Sequence, residues 1–454
     1  MVGTEQKTPQ STMDQDGGTE PFPTLQPVST GDWSWSEFST WPLSVRWAPA
    51  AIALLSVGAG VYYNHFIQTP GLDLSTHDTC IATFNYTFRI GAARHQAEQL
   101  STRSWEIGTA WEAIEELVDP NRTVFSREPF PNDRMPEQGL IMDQALGWVY
   151  QKIRTTGETL FEDEFSVADP AALGVPALML GNRFARHAEA AERQVEFLLE
   201  KAPRYVNGAV SHRTEVKELW ADAVAMFPPF LAYFGAVRNE TRVMETAFKQ
   251  IQLYRDVLQF NQGPHWSLWK HIKGPSELAD DGCWSTGNGW AAYGMARVRA
   301  TIAGFGPSRE VLSREIEKLD QYIAEILDGA MQVDDHESGL LRNYLGQSSW
   351  FGETSGTSLL AATAYRMAVQ NPERFGEKYI SWADRKREAV ISTVDDDGFA
   401  KPAVNPLQHG SRTPVEASPE GESFLVMMGA AWRDCVCSGV CAAPVYYQPQ
   451  VEQP

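Results

Sequence analysis

Cysteine is scarce in this chain, with only five cysteines among 454 residues. So few cysteines exclude a small scaffold held together by disulfides, and their odd number leaves at least one without a partner in the chain. Cys435, Cys437 and Cys441 form a cluster that has no companion histidine or cysteine at zinc spacing, so we interpret them as structural residues. Their pairing stays open, and we expect neither a metal nor a cofactor.

Basic residues are also few for a protein of this size. Lysine and arginine total 38 against 58 aspartates and glutamates, which gives a net charge of −20. A field of this sign repels phosphate backbones and anionic lipids, so nucleic acid is excluded as a partner. An anionic substrate would have to be captured by local hydrogen-bond donors and cations.

The sequence lacks the short motifs of several enzyme classes. It contains no P-loop, G-x-S-x-G elbow, H-E-x-x-H pair or EF-hand loop, so nucleotide, serine-esterase, zinc-protease and calcium-binding functions have no basis. Strand-like alternation is rare. What the chain does contain is 43% apolar residues, 15 tryptophans and long apolar segments with helical spacing beyond residue 73. These features are typical of an all-α globular protein.

The N-terminal part differs from the rest. Residues 1–46 are polar and aperiodic, which predicts a mostly disordered tail. Residues 47–63 carry no charge, which predicts a signal anchor or transmembrane segment; a buried apolar segment or a displaced signal peptide are the alternatives. Acceptor triplets for N-glycans at Asn85, Asn121 and Asn239 agree with the secretory pathway, so we expect an anchored or secreted glycoprotein. A cytoplasmic location and the oligomeric state stay open.

A recurring helix pair organises the rest of the chain. Apolar helices rich in small residues alternate with amphipathic segments whose charged faces suit the outside of a protein. Six such pairs over 73–446 predict an (α/α)6 barrel, a six-hairpin toroid, with an open solenoid as the alternative. The apolar helices begin near Ile107, Asp169, Trp220, Asn288, Thr354 and Pro419, and the amphipathic segments include 142–154, 189–201, 241–260, 309–328 and 374–394.

Two aspartates stand at the beginning of inner helices. Asp222 lies beside Trp220 and before a long apolar run, where burial is expected to raise its pKa and let it act as a general acid. Asp169 precedes a proline at the beginning of the preceding inner helix. In a closed ring both carboxyls would lie at one rim of a cavity and could divide acid and positioning roles. The alternative is that each carboxylate caps its helix.

Tryptophan is concentrated in residues 266–298, together with a histidine and an asparagine. Indoles stack on sugar faces while polar side chains bond the hydroxyls, so this segment is a candidate sugar-binding site; a core role for each indole is the alternative. His212 and Arg213 could supply a donor and a cation to a ligand carboxylate, or lie in a solvated loop. The candidates in the segment are Trp266, Trp269, His271, Trp284, Asn288 and Trp290.

Four motifs occur in order along the chain: N-G-x-x-S-H-R (207–213), L-W-A-D-x-x-x-M-x-P-P-F-L (219–231), W-x-H (269–271) and W-S-T-G-N-G-W-A-x-x-G-M (284–295). Over residues 75–440 this series resembles glycoside hydrolase family 105, the unsaturated rhamnogalacturonyl hydrolases, and especially their fungal members. The resemblance implies an (α/α)6 barrel of the six-hairpin glycosidase superfamily.

The resemblance also implies an activity: removal of a terminal Δ4,5-unsaturated uronic acid, here an unsaturated galacturonyl residue of rhamnogalacturonan-type oligosaccharides. A carboxyl protonates C4, water attacks C5, and the hemiketal opens. By resemblance the general acid/base is Asp222 and the second aspartate is Asp169, with no metal and no cofactor. The implied sugar-binding residues are His212, Trp220, His271, Trp284, Asn288 and Trp290.

One departure from the family pattern concerns the aglycone. Many bacterial members have Gly-Arg where this chain has Ser285 and Thr286, so a cation is missing from the motif. The aglycone therefore stays open. Two other functions also stay open: a membrane-tethered carbohydrate-binding barrel without turnover, and an (α/α)6 glycosidase that acts on saturated sugars.

Overall fold

Helices make up most of the structure. The computed structural model describes residues 76–137, 142–162 and 165–443, and these belong to one compact unit, Leu74–Pro454. The predicted tail (1–46) and the apolar segment (47–63) lie outside the described residues. Within the described part, we find no helix whose length and apolar character would allow it to cross a membrane.

The helices alternate between buried inner elements and partly exposed outer elements. A 3₁₀ turn, Asp169–Leu173, begins the second inner element, and a π-helical turn, Phe197–Lys201, extends the outer helix that follows it. In chain order the helices are α1 Thr76–Thr83, α2 Ile90–Leu100, α3 Ser104–Val118, α4 Gln144–Val149, α5 Gly174–Gly181, α6 Ala185–Glu196, α7 Ala223–Arg238, α8 Thr241–Leu258, α9 Ser285–Gly304, α10 Gly306–Arg309, α11 Ser313–Gln332, α12 Thr354–Gln370, α13 Glu377–Ile391 and α14 Pro419–Cys437.

The inner helices form a closed ring. Helix α3 contacts the 3₁₀ turn before α5, this element contacts α7, and the contacts continue through α9 and α12 to α14, which packs against α3. The outer helices α4, α6, α8, α11 and α13 pack on the inner helices α3, α5, α7, α9 and α12, and α2 packs on α14. The sixth pair therefore joins the first outer helix to the last inner one. The predicted toroid is confirmed, and the open solenoid is wrong because α14 returns to α3.

The sequence of each helix explains its layer. Helix α7 is apolar on all sides and is buried from Ala223 to Ala236, as expected for a helix surrounded by protein. Helix α11 buries Leu319, Ile323 and Ile326 on one face, and charged side chains such as Glu317 and Lys318 are exposed on the other. Gly294 in α9 allows close approach to α7, since a Cβ there would lie 2.3 Å from the carbonyl oxygen of Val224.

Two short antiparallel ribbons lie in the loops that precede inner helices. Strand β1 (Leu219–Trp220) pairs with β2 (Ile272–Lys273), and Trp220 lies opposite Ile272. A further backbone bond runs from the nitrogen of Ala221 to the oxygen of His271, at 2.9 Å. The second ribbon joins β3, Leu341–Arg342, to β4, Gly352–Glu353. The inner helix expected near Trp220 begins at Ala223 because Trp220 is part of β1.

One of two disulfides joins the first helix of the barrel to the last. Cys80 of α1 is bonded to Cys437 of α14 across a sequence separation of 357 residues, and Cys435 is bonded to Cys441. Cys283 is buried and free. The structural interpretation of the C-terminal cluster and the expected unpaired cysteine are both confirmed.

Candidate active site

The beginnings of the inner helices surround one cavity of about 290 Å³. It lies beside the β1–β2 ribbon, which brings the loop before α7 next to the loop before α9. Seven of the eight predicted site residues line it: Asp169, His212, Trp220, Asp222, His271, Trp284 and Trp290. The ring thus brings together residues that are more than a hundred positions apart.

Asp222 and His271 form an ion pair in this cavity. Asp222 Oδ2 lies 3.4 Å from His271 Nε2, and only 14% of the aspartate side chain is exposed. Burial raises the pKa of Asp222, but the charge of His271 and the contact with it bring the pKa of Asp222 below its ordinary value. The predicted rise in the pKa of Asp222 is therefore corrected to a fall, because the interactions with His271 outweigh the loss of water.

His271 contacts a second carboxylate on its other side. Its Nδ1 lies 3.1 Å from Asp280 Oδ2, and this aspartate also accepts bonds from the Tyr344 hydroxyl and the Gly282 nitrogen. Burial opposes a charge on the imidazole, but Asp222 and Asp280 together raise the pKa of His271. Asp222, His271 and Asp280 therefore form a row of alternating charge that begins at the cavity.

His409 contacts both His271 and Asp280. Its ring lies 4.4 Å from that of His271, and its Nε2 lies 3.7 Å from Asp280 Oδ2. Burial and the nearby His271 lower the pKa of His409 to about 4, so it is neutral at neutral pH. The sequence analysis missed Asp280, Tyr344 and His409. Only Asp280 had a local signal, since it follows the W-x-H motif in an Asp-Asp-Gly turn.

His212 covers one face of a cavity indole. Its ring stacks on Trp220 at 4.5 Å and 19°, and its Nε2 lies 3.9 Å from Asp169 Oδ2. Burial lowers the pKa of His212 to about 3, so the imidazole is neutral and can act as donor or acceptor. The Trp220 indole nitrogen donates to Glu218 Oε2 at 3.1 Å, which holds the ring in place.

The tryptophans of 266–298 lie in the cavity, in the core and at the surface. Trp284 lies 4.5 Å from the His271 ring and donates its indole N–H to Asn343, and Trp290 also lines the cavity. Trp269 is fully buried outside the cavity, and Trp266 is 54% exposed outside it. Two of the four indoles therefore line the cavity, and the sugar-binding prediction stays a prediction for these two.

Asn288 does not lie where the sequence predicted. Its Oδ1 accepts from the Trp269 nitrogen at 2.9 Å, and its Nδ2 donates to the carbonyl oxygens of Trp269 and Trp284. Because the backbone occupies both ends of the amide and the residue does not line the cavity, the predicted sugar contact is corrected to a positioning role. Ser285 and Thr286 are also buried outside the cavity, and Ser285 donates to Glu353 at 2.6 Å.

A third carboxyl lies in the cavity. Glu420, at the beginning of α14, is 4% exposed and accepts a hydrogen bond of 2.6 Å from the indole nitrogen of Trp105. Burial and the nearby Asp222 raise its pKa well above the ordinary value. The sequence analysis missed Glu420, although the signal was the one used for Asp169 and Asp222: an acid at the beginning of an inner helix.

Two arginines supply positive charge at the cavity. Arg213 and Arg103 both line it. The Nε of Arg213 is buried and has no hydrogen-bond partner in the described part of the chain. A guanidinium with free donors is suited to bind a carboxylate.

Two groups among the described residues have the geometry to hold a cation. One comprises His271, Asp280 and His409, and the other comprises Glu115, Asp119 and Asp143. In the first, Asp280 already accepts bonds from protein donors, as described above. In the second, Arg122 pairs with all three carboxylates. Protein groups therefore already supply the positive charge or donors that each group needs.

Comparisons with known proteins identify the family of the chain. Residues 141–410 match the model of Glycosyl Hydrolase Family 88. The unsaturated rhamnogalacturonyl hydrolase YesR of Bacillus subtilis is 26% identical over 221 residues, which cover 47% of this chain and 58% of that protein. The match thus spans less than two thirds of the relative's length.

Solved structures share the fold. A possible member of the GH105 family from Klebsiella pneumoniae superposes with a TM-score of 0.59 at 15% identity, over 77% of this chain and 94% of that one. A family 105 glycoside hydrolase from C. acetobutylicum gives 0.57 at 12% identity, over 76% and 99%. The resemblance found in the sequence is confirmed, and the matched model covers more than half of the residues. The chain belongs to Glycosyl Hydrolase Family 88.

Proposed function

We propose that the protein is a glycoside hydrolase that removes a terminal Δ4,5-unsaturated uronic acid, with unsaturated galacturonyl groups of rhamnogalacturonan-type oligosaccharides as the substrate. The observation that carries this proposal is the Asp222–His271 pair, which faces a cavity with indoles and arginines. Family membership and the name of the bacterial relative support it.

The pair provides the proton that the reaction needs. The pair carries one proton. Because the pKa of Asp222 is lowered and that of His271 is raised, this proton lies on His271 Nε2, 3.4 Å from Asp222 Oδ2. In the proposed step it passes through Asp222 to C4 of the vinyl ether, and the oxygen of a water molecule bonds to C5. The water returns a proton to Asp222, and the resulting hemiketal opens to release the aglycone.

The other groups bind the sugar. We assign the uronate carboxylate to Arg213, whose Nε has no protein partner. Asp169 and the neutral His212 lie on the side of Trp220 and would bond ring hydroxyls. Trp284 and Trp290 would stack on the sugar faces.

A spectroscopic assay tests the proposal. Protonation of C4 destroys the conjugated double bond, so incubation with lyase-generated oligosaccharides should remove their ultraviolet absorbance. Unchanged absorbance with rhamnogalacturonan, pectin and glycosaminoglycan products would reject the proposed activity. Cleavage of saturated oligosaccharides instead would indicate a two-carboxyl glycosidase, and tight binding without any product would indicate a carbohydrate-binding barrel.

We also propose a secretory location. Asn85, Asn121 and Asn239 are exposed, and the chain has two disulfides, which persist in oxidising compartments. Digestion of the native protein with a peptide-N-glycosidase should lower its mass, and an unchanged mass would count against glycosylation. Anchoring through 47–63 is part of the same proposal, and a native protein that needs no detergent for extraction would contradict it.

A further inference from the structure

Glu420 differs from the other two carboxyls of the cavity in what surrounds it. Asp222 lies near His271 and Asp169 lies near His212. Glu420 forms no ion pair with any described residue, and its bond from the Trp105 indole uses only Oε1. Its second oxygen, Oε2, makes no hydrogen bond within the described part of the chain, although the side chain lines the cavity.

The charges around Glu420 disfavour its ionised form. The groups that face it from the neighbouring inner elements are mainly acidic, and burial adds to their effect. Two cations line the same cavity: Arg213, and Arg103, which is exposed and packs over the Trp105 ring. The acidic neighbours are Glu106 of α3, Asp169 and Asp222.

We propose that Glu420 is a substrate-binding residue that acts as a neutral acid, donating the Oε2 proton to an oxygen of the bound uronosyl group. This proposal rests on the proposed function and identifies how the site accepts an anionic sugar between acidic side chains. A third carboxylate would repel such a sugar, whereas a carboxylic acid can donate a hydrogen bond to it. The indole of Trp105 orients the group by occupying Oε1.

The role predicts a particular response to pH. As the pH rises through the pKa of Glu420, the site loses a donor and gains a negative charge, so KM should rise while kcat changes little. Glu420→Gln keeps a donor and an acceptor of the same shape but cannot ionise. We expect this variant to hold KM near the acidic-side value of the wild type at every pH. Glu420→Ala should raise KM roughly tenfold to a hundredfold throughout.

A matched control lies two residues further along the same helix. Glu422 is fully buried, and burial raises its pKa to about 8, but it does not line the cavity and accepts a bond from the Ala400 nitrogen. Glu422→Gln should therefore leave KM and its pH profile as in the wild type. Circular dichroism and thermal melting of each variant separate folding defects from binding defects.

The decisive measurement is KM and kcat against pH for the wild type, Glu420→Gln and Glu422→Gln. A KM of Glu420→Gln that rises with pH as in the wild type would overturn the proposal while leaving the proposed function intact. If the wild type turns over no unsaturated oligosaccharide, the proposed function fails. Calorimetric titration of the same oligosaccharides against pH then tests the Glu420 role through Kd, and equal affinities of all three proteins at every pH, or no binding, would overturn it.

Discussion

His271 Nε2 lies 3.4 Å from Asp222 Oδ2, and this contact reverses the effect of burial on both groups. Alone, each buried side chain would favour its neutral form. Together they favour charge, so the pKa of the aspartate falls and that of the histidine rises. Asp280 strengthens the effect by bonding the other ring nitrogen.

The first prediction concerns stability against pH. The lowered pKa of Asp222 gives stability that is present above its ordinary value of 3.8 and is lost as the pH falls through the folded pKa. The raised pKa of His271 gives stability that is complete below 6.5 and is lost as the pH rises through the folded pKa. We therefore expect the melting temperatures of wild type and His271→Gln to differ most between these two pH values.

The control for this experiment is His95→Gln, which changes an exposed histidine on α2. The melting temperature of this variant should equal that of the wild type at every pH. A difference between His271→Gln and the wild type that stays constant from acid to alkaline pH would show that the pair contributes no titrating stability.

The second prediction concerns catalysis. Asp222→Asn keeps the size of the side chain but cannot hold or return the proton, so kcat should fall roughly 10²- to 10⁴-fold while oligosaccharide binding survives. The measurement is the loss of ultraviolet absorbance together with calorimetric binding. Asp281→Asn is the matched control, since Asp281 is 61% exposed and pairs with lysines outside the cavity. Normal turnover by Asp222→Asn would assign the acid elsewhere.

The third prediction concerns capture of the anionic substrate. Removing the Arg213 guanidinium in Arg213→Gln should raise KM roughly tenfold to a hundredfold, the effect of losing charged hydrogen bonds. The dependence of KM on salt should weaken as well, because the cation is lost. Lys217→Gln, at an exposed position of the same loop, should change neither quantity much. Equal effects of the two substitutions would indicate a general electrostatic attraction of the substrate and would argue against a binding site at Arg213.

The fourth prediction concerns the ends of the ring. Opening the Cys80–Cys437 bond in Cys80→Ser frees a very long loop, so the free energy of unfolding should fall by about 2–4 kcal/mol. Cys441→Ser opens only a loop across a separation of 6 residues and should cost less, because the entropy of closing a loop grows with its length. Denaturant titration of both variants measures the difference. A larger loss in Cys441→Ser would contradict this explanation.

The chain itself determined the architecture. Helices that are apolar on every side can be stable only when other protein surrounds them, and amphipathic helices need one dry face. Six alternations of these two types therefore predicted the ring. The acids that begin two inner helices predicted that both carboxyls lie at the same rim of the cavity. These features depend on residue type and local spacing, which are written directly in the sequence.

Tertiary structure decided the electrostatics and the use of each polar group. Ring closure put Glu420 in the same cavity as Asp169 and Asp222, and the β1–β2 ribbon set His271 against Asp222. Tertiary contacts also bond the Asn288 amide to backbone groups and join Cys80 to Cys437. Such outcomes depend on distances between residues far apart in sequence, because charge, burial and hydrogen bonding act through space and leave no local pattern.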